Sequence, residues 1–248
     1  MIDTTLVFVP TYDERENVER LITEILELGL DLDLLFLDDN SPDGTGALLD
    51  ALALRHRTLS VIHRGGKLGI GSAHLQGIAW AYAHGYRRLV TMDADFTHPP
   101  SYLKEFLLLS AESDVVVGSR YLLKNSLEGW TLFRRILTYG GHLLTRTLLG
   151  LKEDASSAYR LYRLDRIPSH VFSLIRATGY SFFFESLYVL RLNGFSIREV
   201  PIVLPARASG QSKMGFIDAC QGLLRLGRMC VTIAADRRRF LLRSPEKP

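Results

Sequence analysis

The sequence predicts an α/β fold, a mostly parallel sheet with helices on both faces. Through the first 120 residues, short apolar runs alternate with stretches of helical apolar spacing. Most of these runs end in polar or glycine-bearing turns, as buried parallel strands do. One of them, Arg88-Leu-Val-Thr-Met-Asp-Ala-Asp-Phe-Thr-His-Pro-Pro100, ends in two carboxylates and a Pro-Pro break.

The elements follow in order. Residues 5–10 read as a first strand, and the acidic turn Thr11-Tyr-Asp-Glu-Arg-Glu-Asn17 opens a helix that Asp13 or Thr11 caps. Val18, Leu21, Ile22, Ile25, Leu26 and Leu28 give that helix one apolar face, and Gly29 ends it. Residues 34–37 form a second strand running into Asp38-Asp-Asn-Ser-Pro-Asp-Gly-Thr45, and residues 47–54 are helical. A third strand, 59–62, leads through a glycine-rich loop, His63 to Gly71, into a helix over 72–83. Residues 88–93 are the fourth strand, 101–109 a helix and 115–117 a fifth strand. The regular alternation stops near residue 120. Beyond it come a leucine-rich helix over 131–151, extended segments at 158–162 and 197–203, and a helix over 182–192. The chain divides into an α/β unit, residues 1–213, and a basic, partly apolar tail, residues 214–248.

Apolar content of 47% and charged content of 23% describe a folded protein with ample core. The net charge of +3 is unevenly spread. Residues 1–50 hold two Arg against thirteen Asp and Glu, a net of −11, whereas residues 51–205 net +8 and residues 206–248 net +6. The basic two-thirds suit an anionic partner: a phosphorylated ligand, an anionic membrane face or nucleic acid. Cys220 and Cys230 fall about 15 Å apart on one helix, too far to bridge within it. Two thiols without a disulfide framework fit a reducing compartment. The N-terminus runs into a strand without a signal peptide, and no window of about 20 residues is free of charge, so no transmembrane span is expected.

Four strand ends carry polar clusters: Pro10 to Glu14, Asp38 to Thr45, Asp93 to His98, and Ser119-Arg120. In a parallel sheet they converge on one rim, where ligands of open α/β sheets bind. Side chains at i and i+2 of an extended segment point the same way, so Asp93 and Asp95 leave the fourth strand on one side. Two adjacent carboxylates repel unless a proton or cation intervenes. A hard divalent cation with phosphate oxygens fits an oxygen-only donor set. The alternative is structural, with Asp95 a helix N-cap and Asp93 a solvated strand end. Asp93-Ala-Asp-Phe-Thr97 also matches the D-x-D-x-T of haloacid-dehalogenase-type phosphatases, although three strands precede it and a later paired-Asp motif is missing. The glycine-rich loop lacks the third glycine of a dinucleotide fingerprint and any Gly-Lys-Ser/Thr; it reads either as a βα loop that touches a ligand, with Lys67 as a candidate phosphate contact, or as a plain loop. The seven histidines show no i, i+4 pair and read mostly as surface or capping residues, with His98 alone beside the carboxylates. Arg120, Arg134, Arg135, Arg160, Arg163, Arg207 and Lys213 are a basic inventory suited to phosphate.

Taken together, Val9-Pro-Thr-Tyr-Asp-Glu-Arg-Glu-Asn17, Asp38-Asp-Asn-Ser-Pro-Asp-Gly-Thr45, Met92-Asp-Ala-Asp95, Gly118-Ser-Arg-Tyr121 and Gly210-Gln-Ser-Lys213 resemble the polyprenyl-phosphate (dolichyl-phosphate) mannosyltransferases, inverting glycosyltransferases of family 2 with a GT-A fold. The similarity spans roughly residues 5–215 in the family's order. It implies metal-dependent transfer of a hexose, typically mannose from GDP-mannose, to a polyprenyl monophosphate. Carried over by position, it implies that Pro10, Tyr12, Glu14 and Asp39 hold the nucleoside. Asp93 and Asp95 would bind Mg2+ or Mn2+ with the diphosphate. Arg120 and Arg134 would meet the acceptor phosphate, and Arg207 and Lys213 the donor. Asp154-Ala-Ser-Ser-Ala-Tyr-Arg160 is similar to the family's D-x-T-S-G-F-R segment, with Ala155 and Ala158 departing from it. Many relatives carry Gln where this chain has Thr97.

The implied chemistry needs no strong base. A phosphate monoester is already largely dianionic near neutral pH, with its second pKa about 6. The rival reading keeps the donor but uses a sugar hydroxyl as acceptor, which needs a carboxylate base such as Glu128, Asp154 or Glu185. The expected partners are the nucleotide sugar, the lipid phosphate and a membrane surface, not nucleic acid. The expected site of action is the cytoplasmic membrane face, peripherally. Basic, leucine-rich stretches at 131–151 and 214–243 suit either interfacial docking or packing over the sheet or in a dimer interface, with a membrane partner subunit required if docking is not autonomous.

Overall fold

A computed structural model describes residues 2–127, 130–205 and 216–242, the side chains of residues 2, 3, 133, 134 and 216–219 excepted. Seven strands form one sheet: β1 (Ile2–Thr11), β2 (Leu32–Asp38), β3 (Leu59–His63), β4 (Tyr86–Thr91), β5 (Val115–Ser119), β6 (Arg160–Arg163) and β7 (Ile197–Pro201). Their spatial order is β3-β2-β1-β4-β6-β5-β7. The helices are α1 (Arg15–Leu26), α2 (Thr45–Ala53), α3 (Ile70–Ala83), α4 (Leu103–Leu109), α5 (Leu132–Leu149), α6 (Phe182–Leu192) and α7 (Phe216–Asp236). A 3-10 turn, Pro100–Tyr102, precedes α4, and another, Ser169–Leu174, follows β6.

Strand alternation builds two cores. Leu6 and Phe8 of β1 face one side, with α3, α6 and α7; Val7 and Val9 face the other, with α1, α2 and α4. The close approach of α3 to β1 requires Gly77, where a Cβ would lie 2.6 Å from the Phe8 ring. The leucine-rich α5 joins neither core along most of its length. Leu132, Ile136, Leu137, Leu143 and Leu148 are each more than half exposed.

The sheet departs from a purely parallel one at β6, which runs antiparallel to both β4 and β5. After α5 the chain re-enters the sheet from the rim, so β6 starts where its neighbours end: Arg160 pairs with Thr91 and Val117. This brings the segment from Asp154 to the same rim as the ends of β1, β2, β4 and β5. The order around β1 places β2 on one side and β4 on the other, a topological switch point of the kind where open α/β sheets bind ligands.

Candidate functional site

The loops after β1 and β2 are stitched together. The expectation that Asp13 or Thr11 caps α1 is not met. Glu14 occupies the N-cap position, and the N–H groups of Asp13, Glu14 and Arg15 donate to Ser41 Oγ, Thr45 Oγ1 and Asp43 Oδ2, each at 3.0 Å. Asp13 stands at φ +54°, so its side chain is not in cap geometry, and Thr11 donates instead to Leu37 O. Asp38 is buried and accepts from the Ser41 backbone N–H. Most of the acidic cluster therefore builds the rim.

Asp39 is different. It is buried and held by a bidentate ion pair with Arg64, whose Nη2 lies 2.6 Å from Asp39 Oδ2 and whose Nε reaches Oδ1. Arg64 Nη1 also donates to Ser72 Oγ at 2.7 Å. Glu14, also buried, accepts from Asn17 Nδ2 at 2.7 Å. Lys67 Nζ lies 4.6 Å from the centre of the Tyr12 ring, a cation–π contact that joins the glycine-rich loop to the β1 loop. Gly69 and Gly71 serve close packing: a Cβ at either would strike the 178–182 segment at 2.6 Å.

At β4 the structure corrects the reading of an extended Asp93. The strand ends at Thr91, and both carboxylates lie in the loop that follows. Their side-chain directions therefore do not come from strand alternation. Asp95 is buried and its Oδ1 accepts from Thr97 N (3.1 Å) and Thr97 Oγ1 (2.6 Å). It caps this tight turn and not a helix. The Asp93 side chain is 37% exposed. Phe96, directly after Asp95, sits at φ +62°, an uncommon conformation for a bulky residue, with the Arg20 guanidinium 4.5 Å over its ring. Asn40 in the β2 loop is likewise left-handed, so the β1, β2 and β4 rim loops each hold a non-glycine residue there. Such strain concentrates at ligand sites.

His98 closes this loop. Its buried ring accepts the Asp93 N–H through Nδ1 at 2.9 Å and stacks on Tyr159, centroids 5.0 Å apart, which in turn stacks on Phe106. Burial holds its pKa below the usual imidazole range; Asp93, Asp95 and Asp154 pull it back up and Arg120 pushes it down. Four charged groups from three rim segments therefore surround one neutral imidazole.

Arg120, just past β5, is buried against Asp154, with Nε–Oδ2 at 2.7 Å and backbone N–Oδ2 at 3.2 Å. Asp154 is fully buried and its Oδ1 accepts from Ser156. Arg120's terminal nitrogens make no hydrogen bond among the described residues, which leaves them for an anion. The next residue, Tyr121, donates through its hydroxyl to Thr138 O at 3.1 Å and stacks on His142, centroids 3.9 Å apart. That fastens α5 beside Arg120. Arg160 does not join the rim's basic groups. It is fully buried and donates to the carbonyls of Ser157, Ala155 and Phe183 and to Ser186 Oγ, bracing the core. Glu185, a base for the rival reading, is buried under a bidentate Arg225.

The structure thus brings together Pro10, Tyr12, Glu14, Asp39, Asp93, Asp95 and Arg120 on the rim. Arg134 lies in the first turn of α5, with its side chain outside the description. Arg207, Lys213 and Glu128 lie outside the described residues. Sequence reasoning missed Arg64. The signal was available, since β3 lies parallel beside β2 and Arg64 and Asp39 each directly follow their strands. A cation fits Asp93 and Asp95: the donors are oxygens, and Nδ1 of His98 is already filled by the Asp93 N–H. Among the described residues no three His, Cys, Asp or Glu come together as a metal-holding group.

Residues 6–167 match the family described as Glycosyl transferase family 2. Polyprenol monophosphomannose synthase of Mycolicibacterium smegmatis is 36% identical over 242 residues, covering 96% of this chain and 91% of that protein. Undecaprenyl-phosphate mannosyltransferase of Micrococcus luteus is 35% identical over 210 residues, 84% of this chain and 86% of that one. A mannosyltransferase from Pyrobaculum calidifontis, solved in complex with GDP-Man and Mn2+, shares the fold with a TM-score of 0.56 at 18% identity, over 93% of this chain and 65% of that one. The fold is of the GT-A type.

Proposed function

The chain belongs to glycosyl transferase family 2 and is a glycosyltransferase; from that premise we propose that it transfers mannose from GDP-mannose to a polyprenyl monophosphate, with inversion and with Mg2+ or Mn2+, peripherally at the cytoplasmic membrane face. One observation carries the lipid-phosphate acceptor. The exposed leucine face of α5 is fastened through Tyr121 next to Arg120, an arginine with uncommitted terminal nitrogens. A phosphate at Arg120 has an apolar surface beside it for its isoprenoid chain. Both named relatives use polyprenyl-phosphate acceptors by their names, which supports the same reading.

The residues divide the work. Pro10, Tyr12, Glu14 and Asp39, the last with Arg64 behind it, hold the nucleoside. Asp93 and Asp95 would hold the cation, which would supply positive charge against the diphosphate leaving group. Arg120 and Arg134 hold the acceptor phosphate, already ionised and in need of no base. Asp154 is committed to Arg120 and Glu185 to Arg225, so neither serves as a base for a sugar hydroxyl. Arg207 and Lys213 belong to the donor side. Residues 1–213 act as the catalytic unit, and α5 with residues 214–248 as the membrane-facing surface. No helix among the described residues is long and apolar enough to cross a membrane.

The test is transfer by purified protein with Mn2+ or Mg2+ and a short polyprenyl phosphate, across a panel of GDP- and UDP-sugars. Mannosyl transfer from GDP-mannose alone is expected. Transfer only to sugar hydroxyls would overturn the acceptor assignment. Absence of vesicle binding by the folded protein would assign docking to a membrane partner subunit.

A further inference from the structure

A cleft of about 980 Å³ opens between the 3-10 turn Ser169–Leu174, the start of α6, and α7 with the residues that follow it. It shares no residue with the rim site. Its walls carry Arg176, Arg225, Arg228, Arg238, Arg239 and His170 against two carboxylates, Glu185 and Asp236. Both carboxylates are engaged. Glu185 accepts from Arg225 through both oxygens, at 2.9 and 3.0 Å, and from the Arg176 backbone N–H at 3.1 Å. Asp236 caps the Arg238 N–H at 3.1 Å and faces Arg239 Nε at 3.5 Å. The guanidinium groups of Arg176, Arg228 and Arg238 make no ion pair or hydrogen bond among the described residues. Three uncommitted guanidinium groups around one cleft are complementary to an anion, and arginine meets phosphate oxygens in a bidentate way.

The rest of the lining decides what kind of anion. Leu174, Met229, Phe240, Leu241 and Leu242 line the same cleft, with Met229 and Phe240 buried. On the other flank of α7, within two turns of Arg228, Leu223, Leu224 and Val231 are each more than half exposed. A soluble phosphate needs neither this volume nor an apolar floor. A phosphodiester headgroup with its glycerol and first methylenes uses both. We infer that the cleft between the Ser169–Leu174 turn and α7 binds the headgroup of an anionic phospholipid, a second phosphate site apart from the acceptor phosphate at Arg120. This rests on the membrane-facing reading above and gives it a specific lipid contact.

The test uses the full chain and vesicles of phosphatidylcholine with or without about one-third phosphatidylglycerol. Three variants compare: wild type, R176Q/R228Q/R238Q, and a control, R55Q/R57Q/K104Q, that loses the same charge on the opposite face of the sheet. Each basic group at an anionic leaflet contributes about 1 kcal/mol. The cleft triple should therefore bind phosphatidylglycerol vesicles on the order of 100-fold more weakly, and the control less than about threefold. Soluble dihexanoyl-phosphatidylglycerol should bind wild type and not the cleft triple by calorimetry, and inorganic phosphate should not compete. Equal losses in both triples, or no loss in either, would overturn the site, as would competition by inorganic phosphate. The substituted arginines are exposed, so thermal unfolding should match wild type. Vesicle binding requires no turnover. A wild type inactive in transfer that still binds through the cleft would sink the proposed function alone; active transfer with unchanged vesicle binding by the cleft triple would sink this inference alone.

Discussion

His98 accepts the backbone N–H of Asp93 at 2.9 Å while its ring is clamped against Tyr159. The exposed carboxylate of Asp93 thus hangs from a backbone fixed by a buried side chain. Removing the ring leaves the Asp93 N–H without its acceptor, and partners that orient metal ligands are worth about 10- to 100-fold in metal affinity. His98→Ala is expected to weaken Mn2+ binding about tenfold in an electron paramagnetic resonance titration. His98→Asn, whose amide oxygen can stand in for Nδ1, should recover part of it. Wild-type affinity in His98→Ala would mean the clamp does not position Asp93.

Thr97 turns back on Asp95. Its hydroxyl bond of 2.6 Å is the stronger of two to Oδ1. Thr97→Val removes the hydroxyl bond and keeps the N–H bond. A loss of about 1 kcal/mol is expected, roughly a fivefold rise in the Mn2+ concentration for half-maximal transfer. Asp95→Asn should abolish transfer with the fold intact, and excess chelator should do the same reversibly. Full activity in chelator would remove the metal from the mechanism.

Asp39 and Arg64 are both buried, and breaking such a pair from one side leaves a charge without its partner. Arg64→Ala should cost about 3–5 kcal/mol. At this chain length that lowers the melting temperature by roughly 10 °C. Asp39→Ala should weaken nucleotide binding more than lipid-phosphate use, with Arg134→Ala the reverse. In the double variant the stability losses should be well short of additive. Additive losses would mean the pair does not act as a unit.

The sequence made the α/β alternation legible because strand and helix periods differ and the turns between them are polar. The helix over 182–192 is found at Phe182–Leu192. What was not legible depends on neighbours distant in sequence. The caps of α1 come from Ser41, Asp43 and Thr45, about 28 to 31 residues away, so inspection of Thr11 and Asp13 could not find them. The reversal of β6 follows from where α5 returns the chain, which local spacing does not encode. Arg160 reads as a phosphate ligand by type. Only its acceptors, on Ala155, Ser157, Tyr162, Phe183 and Ser186, show it to be a core brace. At the site, the rim residues were legible as strand ends, but their pairing with Arg64, Thr97 and His98 was not.

His74 shows the same limit and yields a stability prediction. Most histidines read from sequence as surface or capping residues, yet His74 of α3 is fully buried. It is stacked on Phe182 and set edge-on to Phe8 and Phe183. Neither ring nitrogen has a hydrogen-bond partner among the described residues. Burial, reinforced by Arg160 and His98, pushes its pKa down to about 3 from 6.5. Below pH 6.5 the unfolded chain takes up a proton that the native state refuses. The stability tied to a neutral His74 is therefore complete above pH 6.5 and is lost as pH falls toward 3, at about 1.4 kcal/mol per unit. His98, also held low by burial, adds in the same direction. His74→Leu is close in volume and removes an unsatisfied buried N–H, which costs about 1–3 kcal/mol. The variant is expected to melt a few degrees higher at pH 7 and to lose stability less steeply between pH 6.5 and 4, with His98 supplying the slope that remains. Chemical denaturation across that pH range checks both. A Leu variant as acid-sensitive as wild type and no more stable at pH 7 would show that His74 is satisfied in solution.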